Sequence, residues 1–174
     1  MIKKIRKLIA RFIKSKMTYE RETTKIVKEK IISSDRIFNY LETPLEVLCN
    51  SLFHYYKKLI ENNSDIYNID PNFFFFNNHT DVNAWAQVKG ENSIVSINIG
   101  TIKHLKTIFL DNEELIEEIF GENVQKLNKI LIEEGSSIMN FMYYSAIIFL
   151  INHEIAHLIQ NNQKLELYNR AGNK

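Results

Sequence analysis

The residues with the clearest chemical potential lie in one short segment, His153-Glu154-Ile155-Ala156-His157. Two histidines at this spacing project from the same side of a helix, where their imidazoles can bind one Zn²⁺ ion. A neighbouring glutamate can accept the proton of a water molecule that the metal activates. The pattern therefore predicts a zinc site in which His153 and His157 are ligands and Glu154 is the general base for hydrolysis of a peptide bond.

The sequence around the motif predicts one long apolar helix. It begins at Ser136 or Ser137, which can cap it, and continues to about Gln160 through the middle of the domain. Burying three ionisable groups in such a helix costs free energy unless they have partners. A metal ion is one such partner, and the alternative is a structural helix whose histidines only make hydrogen bonds.

A small sheet is predicted between residues 66 and 100, where turn residues separate segments of strand character. Val82 to Val88 and Ile94 to Ile99 are predicted to form a hairpin. The run Phe73 to Phe76 is either a buried strand or the lining of a pocket, and core packing is the favoured alternative.

Other stretches have helical spacing or capping residues. They are a mixed-charge stretch from Thr18 to Tyr40, a helix from Thr43 and Pro44 to about Glu61, a helix from Thr101 to Leu110, and an acidic stretch from Asp111 to Glu134. In the acidic stretch the apolar residues are expected to face inward. They are Leu115, Ile116, Ile119 and Phe120.

The formal net charge of +1 conceals an uneven distribution. Residues 1–16 contain seven basic side chains and no acidic one, whereas the remaining 158 residues contain 15 basic and 21 acidic side chains. Apolar residues recur among these cations every three or four positions, which predicts a cationic amphipathic helix. It would either pack on the protein or lie on an anionic membrane surface. The body of the chain is acidic, so no nucleic acid partner is expected.

The cellular location is inferred from cysteine content and hydropathy. Cys49 is the only cysteine, so no intrachain disulfide can form, and its apolar surroundings predict a buried side chain. The basic N-terminus lacks the uninterrupted apolar run of a signal peptide. The longest apolar stretch, Ile138 to Ile151, is too short and too polar to predict a membrane-spanning helix. We expect a cytoplasmic protein, with peripheral membrane association as the alternative.

Three segments in order resemble a known group of enzymes. They are Asn83-Ala84-Trp85-Ala86, the predicted strand Ile94 to Ile99 followed by Gly100 and Leu105, and the apolar helix ending in His153 to His157. Their order is similar to that of membrane-associated M48-type zinc peptidases and of the phage-exclusion (Lit-like) bacterial peptidases. The resemblance covers about residues 80 to 160 and implies a gluzincin.

The resemblance also implies two features beyond the motif. In gluzincins the edge strand beside the motif helix binds the substrate backbone by strand addition, a role that would belong to Ile94 to Ile99. The third ligand is usually a glutamate on a later helix, at least 18 residues beyond the second histidine. Glu166 is the only acid after His157, and it could reach the metal if the chain turned at Asn161-Asn162. It could equally lie on the outside of a last short helix.

Three residues of the sheet region are alternative third ligands, although their spacing does not indicate one. They are His79, Asp81 and His104.

The sequence predicts an α+β fold, a mostly helical zincin-like domain with a small sheet packed beside a long buried active-site helix. Residues 1–40 are expected to form the cationic helix and a mixed-charge helix, and residues 41–174 the metallopeptidase domain. The predicted function is zinc-dependent cleavage of a protein or peptide substrate. The alternatives are a non-catalytic binding or regulatory protein on a degenerate metallopeptidase scaffold, and a peripheral membrane protein that uses its N-terminal helix.

Overall fold

Helices surround one three-stranded sheet in the described part of the chain. The computed structural model describes residues 18–69, 72–121 and 137–172, with isolated positions at 123, 126, 129 and 131. The side chains at 113, 115, 117 and 162–172 are outside this description. The cationic amphipathic helix predicted over residues 1–16 also lies outside the described residues.

Helices are much more abundant than strands, so the predicted α+β class with helical dominance is confirmed. The elements, in chain order, are α1 (residues 18–28), a 3₁₀ turn (Ser34–Arg36), α2 (Glu46–Asn62), α3 (Ser64–Tyr67), β1 (Asn72–Asn77), β2 (Ala84–Lys89), β3 (Asn92–Asn98), α4 (Ile99–Phe109), α5 (Glu113–Phe120) and α6 (Ile138–Gly172).

The sheet has the strand order β1-β3-β2. Strands β2 and β3 form the predicted antiparallel hairpin, with Ala86 opposite Val95. Its turn contains Gly90 at φ 62°, a left-handed conformation that glycine adopts without steric cost. Strand β3 then pairs in parallel with β1, so that Phe74 also lies opposite Val95.

This order corrects the expectation that Ile94 to Ile99 would be the edge strand beside the motif helix. The segment forms most of β3, which is hydrogen-bonded on both sides and therefore has no free edge. The strand itself ends at Asn98, because Ile99 already begins α4. Among the described residues, β1 and β2 each pair with β3 alone and are the two edge strands, and β2 is the one that packs against α6.

The core is aromatic and continuous with the first helix. Phe73 to Phe76 are all buried in β1, which confirms core packing for this run. The Phe74 ring stacks on Tyr56 of α2, with centroids 4.9 Å apart, and Phe76 meets Tyr40 edge to face at 5.6 Å. Tyr19 of α1 contacts the same group and donates a hydrogen bond to the Phe38 carbonyl. Residues 18–40 thus share one core with the sheet.

Two predicted helix boundaries are wrong. The mixed-charge stretch was expected to stay helical to Tyr40, but α1 ends near residue 28 and Lys30 has φ 56°. The Lys89 side chain of β2 donates to the carbonyls of Lys30 and Ile31, and this distant contact stabilises the helix end. Helix α2 begins at Glu46 rather than after Thr43, because a turn with a hydrogen bond from Glu46 N to Thr43 O precedes it.

The apolar face of α5 is only partly covered. Ile116 is buried against Ile138 and Met139 at the start of α6, as expected. Ile119 and Phe120, also expected to face inward, are 63% and 45% exposed. The inward prediction is therefore wrong for these two residues, because α5 contacts the core at its middle turn and ends one turn later.

A polar clamp holds the loop between β1 and β2. Asn98 accepts a hydrogen bond from the Asn77 side chain at 2.7 Å and donates one to the Asp81 carbonyl. Thr101 exchanges two hydrogen bonds of 2.7 Å with the backbone of Asn83. A Cβ atom on Gly100 would overlap the Thr80 carbonyl, so the loop lies against α4 only because position 100 has no side chain.

Replacing Gly100 with alanine is expected to destabilise the fold by about 2–3 kcal/mol, since the loop backbone must move away from α4. Gly90→Ala is the matched control, because Gly90 has a positive φ but open space around it. It should cost only about 1 kcal/mol. Urea denaturation measures both values, and an equal or smaller loss for Gly100→Ala would contradict the clamp.

The Cys49 thiol is expected to be unreactive in the folded protein. It is fully buried, and this burial raises its pKa to about 12, so almost no thiolate exists at pH 8. Ellman's reagent should label it only after unfolding in urea. Rapid labelling of the folded chain at pH 8 would show that α2 does not pack as described.

Candidate metal centre

Helix α6 is anchored at its start and along one side. The Ser137 hydroxyl accepts a hydrogen bond from Asn140 N at 3.2 Å, which confirms the cap predicted at one of the two serines. The Tyr143 hydroxyl donates to the Ile102 carbonyl of α4 at 3.2 Å. Burial raises the pKa of Tyr143, so this phenol stays protonated and keeps donating. The buried side of the helix lies against β2, β3 and α4. It consists of Ile147, Ile151, Ile155 and Leu158.

The three motif residues come together on this helix. The Nε2 atoms of His153 and His157 are 3.0 Å apart, and their rings are nearly perpendicular with centroids at 4.5 Å. A carboxylate oxygen of Glu154 lies within 4.8 Å of both histidine nitrogens. One turn of α6 therefore presents two imidazoles and one carboxylate to the same small volume.

The distance between the imidazoles is compatible with a shared metal. Two nitrogens bound to one tetrahedral zinc ion, each about 2.05 Å from it, are roughly 3.3 Å apart. The observed 3.0 Å would need only a small side-chain rotation to match. A hydrogen bond from one imidazole to the other also fits 3.0 Å, and it requires that one ring donates its proton. Imidazole nitrogens are common zinc ligands, so the two histidines could fill two positions of the coordination sphere of a zinc ion.

The burial of the motif differs from the expectation of a helix surrounded by the domain. Both histidines are exposed, whereas Glu154 is 8% exposed. The helix is thus buried on one side only, and the imidazole edges are open to a metal ion and a ligand. Glu154 makes no hydrogen bond or ion pair within the described part of the chain, so its carboxylate is unengaged beside the histidines.

The backbone position of Glu166 on α6 lies well beyond this cluster. The turn expected at Asn161-Asn162 is absent, because α6 continues as one helix to Gly172. Glu166 lies nine positions after His157 on the same helix, which places its backbone about 13.5 Å further along the axis. The expected route of Glu166 to the metal, through a turn at Asn161-Asn162, is therefore wrong.

The alternative third ligands are also elsewhere. The Nδ1 atom of His79 lies 3.4 Å from a carboxylate oxygen of Asp81 in the clamped loop, and both side chains are exposed. His104 is exposed on α4. Among the described residues, the group with metal-binding geometry contains only His153, Glu154 and His157.

Two neighbours of the motif were not singled out from the sequence. The Asn152 side chain donates to the Tyr55 hydroxyl of α2 at 2.9 Å, which ties α6 to α2 beside the first histidine. The Phe149 ring stacks on His153 at 6.1 Å with an interplanar angle of 22°. The four-residue spacing of Phe149 and His153 is a signal that sequence reasoning could have used. Tyr55 is 97 residues away in sequence, and no local pattern indicates its contact.

Helix α6 is also unusually apolar. Over Ile138–Asn161 it is long and apolar enough to cross a bilayer, judged by length and composition alone. In the 18-residue stretch of this segment that meets the criterion, 33% of the residues are buried. Core helices of soluble proteins meet the same criteria. The prediction of no membrane-spanning segment, which rested on the shorter stretch Ile138 to Ile151, is thus not confirmed.

Comparisons with known proteins identified no relative of this chain. No model of a protein family matches the chain, and neither the curated proteins nor the solved structures contain a significant match. The resemblance to gluzincins stays a prediction that rests on the motif.

We expect the purified protein to bind one Zn²⁺ ion through the two histidines. His153→Ala and His157→Ala should each weaken binding by more than about 100-fold, because each removes a ligand rather than a supporting contact. Acid should also weaken binding, since protons compete with the metal for the imidazoles. Competition with a chromogenic chelator measures the affinities.

The control variants are His79→Ala and His104→Ala, which alter exposed histidines outside the cluster. Both should bind zinc as tightly as the wild-type chain. Zinc affinity that falls equally in all four variants, or in none, would contradict a site at the motif.

Proposed function

We propose that this chain is a zinc-dependent peptidase. One observation carries the proposal: two imidazole nitrogens 3.0 Å apart and an unengaged, largely buried carboxylate within 4.8 Å of them, on adjacent positions of one helix. His153 and His157 would hold the metal and Glu154 would act on water. The substrate would be a protein or peptide, and the expected location remains the cytoplasm.

The proposed division of labour follows from the chemistry of the three side chains. Zinc, when bound, acidifies a coordinated water molecule and polarises a carbonyl group. The histidines bind through neutral nitrogens and hold their rings on one side of α6. Glu154 is not needed as a ligand, so one of its carboxylate oxygens can accept the proton of the attacking water. The same carboxyl group then passes that proton to the amine that leaves.

Strand β2 is the better candidate for binding the substrate backbone. Within the described chain, the backbone N–H and C=O groups on its outer side pair with no other strand. Helix α6 packs directly against it. An extended peptide could therefore add to this edge as a further strand beside the motif helix. This assignment transfers to β2 the role that the resemblance had implied for Ile94 to Ile99.

A non-catalytic metal-binding protein is the second candidate. It is favoured by the absence of a third protein ligand from the described cluster, since catalytic zinc sites commonly have three. In that case His153 and His157 would bind metal without turnover on a degenerate scaffold. A peripheral membrane role through residues 1–16 is a further alternative, and those residues lie outside the described structure.

Glu154→Gln separates catalysis from metal binding. The amide is nearly isosteric but cannot accept a proton as a base, so cleavage should fall by about 10²–10⁴-fold while zinc affinity changes little. Cleavage of a mixed peptide library by the zinc-loaded chain can be followed by mass spectrometry. Glu114→Gln, at an exposed position of α5, is the control and should retain wild-type cleavage.

Two results would contradict the proposal. One is a wild-type chain that binds zinc but cleaves nothing, which would favour the non-catalytic candidate. The other is cleavage that persists in Glu154→Gln at the wild-type rate.

A further inference from the structure

Phe149 is an apolar side chain in an unexpected place. It is 67% exposed although it lies on the helix that carries the motif, and it belongs to neither hydrophobic cluster of the described chain. Leaving an aromatic ring in water forgoes the stabilisation that burial would give. Packing of the described fold therefore does not account for a phenylalanine at this position.

The ring lies directly beside the candidate metal centre. It stacks on the imidazole of His153 at 6.1 Å, and the Nε2 atom of that imidazole is 3.0 Å from the second histidine. Successive residues of an extended peptide rise about 3.3 Å. A ligand that covers the Phe149 ring is thus one or two peptide residues from the histidine nitrogens.

The stretch of α6 around the ring has no exposed Lys, Arg, Asp or Glu. From Ile138 to Asn161 the only charged residue is Glu154, and it is buried. The exposed positions of α6 within two turns of Phe149, on its side of the helix, are Ser145, Asn152, His153 and Ala156. A surface of this composition can desolvate an apolar side chain but provides no partner for a charged one.

We propose that Phe149 forms the apolar subsite for the substrate residue next to the bond that is cleaved. The subsite accepts an aromatic or large aliphatic side chain, which packs on the exposed face of the ring, and it rejects acidic, basic and very small residues. This inference rests on the proposed function, because it assigns a specificity to the same site. It identifies the substrate class as peptides with a large apolar residue beside the scissile bond.

Phe141 provides a matched control on the same helix. It is 57% exposed, and it lies eight residues, or about 12 Å, before Phe149 along the axis. Among the described residues its ring has no stacking contact with a histidine. Phe141→Ala therefore removes a similar exposed ring without touching the centre.

The test measures peptide binding in the Glu154→Gln background, loaded with zinc, so that it does not depend on turnover. Fluorescein-labelled octapeptides with phenylalanine, leucine, glycine or aspartate at the centre are titrated and followed by anisotropy. The chain should bind the phenylalanine and leucine peptides more tightly. Phe149→Ala should weaken these two by about 10- to 100-fold and leave the glycine and aspartate peptides unchanged. Phe141→Ala should change none of them.

Several results would contradict the proposal that Phe149 forms this subsite. They are equal binding of all four peptides, an equal loss for all four in Phe149→Ala, and the same loss in Phe141→Ala. A parallel fall in zinc affinity in Phe149→Ala would also overturn it, because the ring would then be positioning His153. If the peptide preference follows Phe149 but the wild-type chain cleaves nothing, Phe149 is an apolar peptide-binding position, and both its place beside a scissile bond and the peptidase proposal fail.

Discussion

The helical repeat of 3.6 residues is the constraint on which the candidate site depends. Helix α6 must bury an apolar stripe against the sheet while it keeps the two histidines accessible. Ile151, Ile155 and Leu158 lie on the buried side, and His153 and His157 lie on the exposed side. Glu154 lies between the two sides, so the residue is largely buried while its carboxylate is close to the imidazoles. One helix thus supplies both core packing and chemistry.

The remaining elements position α6 and the strand beside it. The Tyr55 hydrogen bond to Asn152 joins α6 to α2, and α2 packs its rings on β1. The loop before β2 is held by Asn98 and Thr101 and lies close to α4 at Gly100. The edge strand and the motif helix are therefore both connected to the same aromatic core. A site built on such supported elements varies little in geometry.

The sequence could predict those features of the structure that depend on local patterns. The motif spacing, the Ser137 cap, the β2–β3 hairpin and the buried β1 strand all depend on residues close in the chain. The errors concern distant contacts. The parallel pairing of β1 with β3, which makes β3 central, joins strands with β2 between them in sequence. Lys89 contacts the chain just after α1 from 58 residues away, and the exposure of Phe120 follows from where α5 meets α6. No periodicity within a segment encodes such contacts.

The location of a bound zinc ion tests the central claim most directly. Anomalous diffraction at the zinc edge, from crystals of the zinc-loaded protein, gives the metal position independently of any activity. We predict one strong peak about 2.0–2.1 Å from Nε2 of both His153 and His157. A peak at His79 or His104 instead, or no peak near α6, would contradict a metal centre at the motif and the peptidase proposal with it.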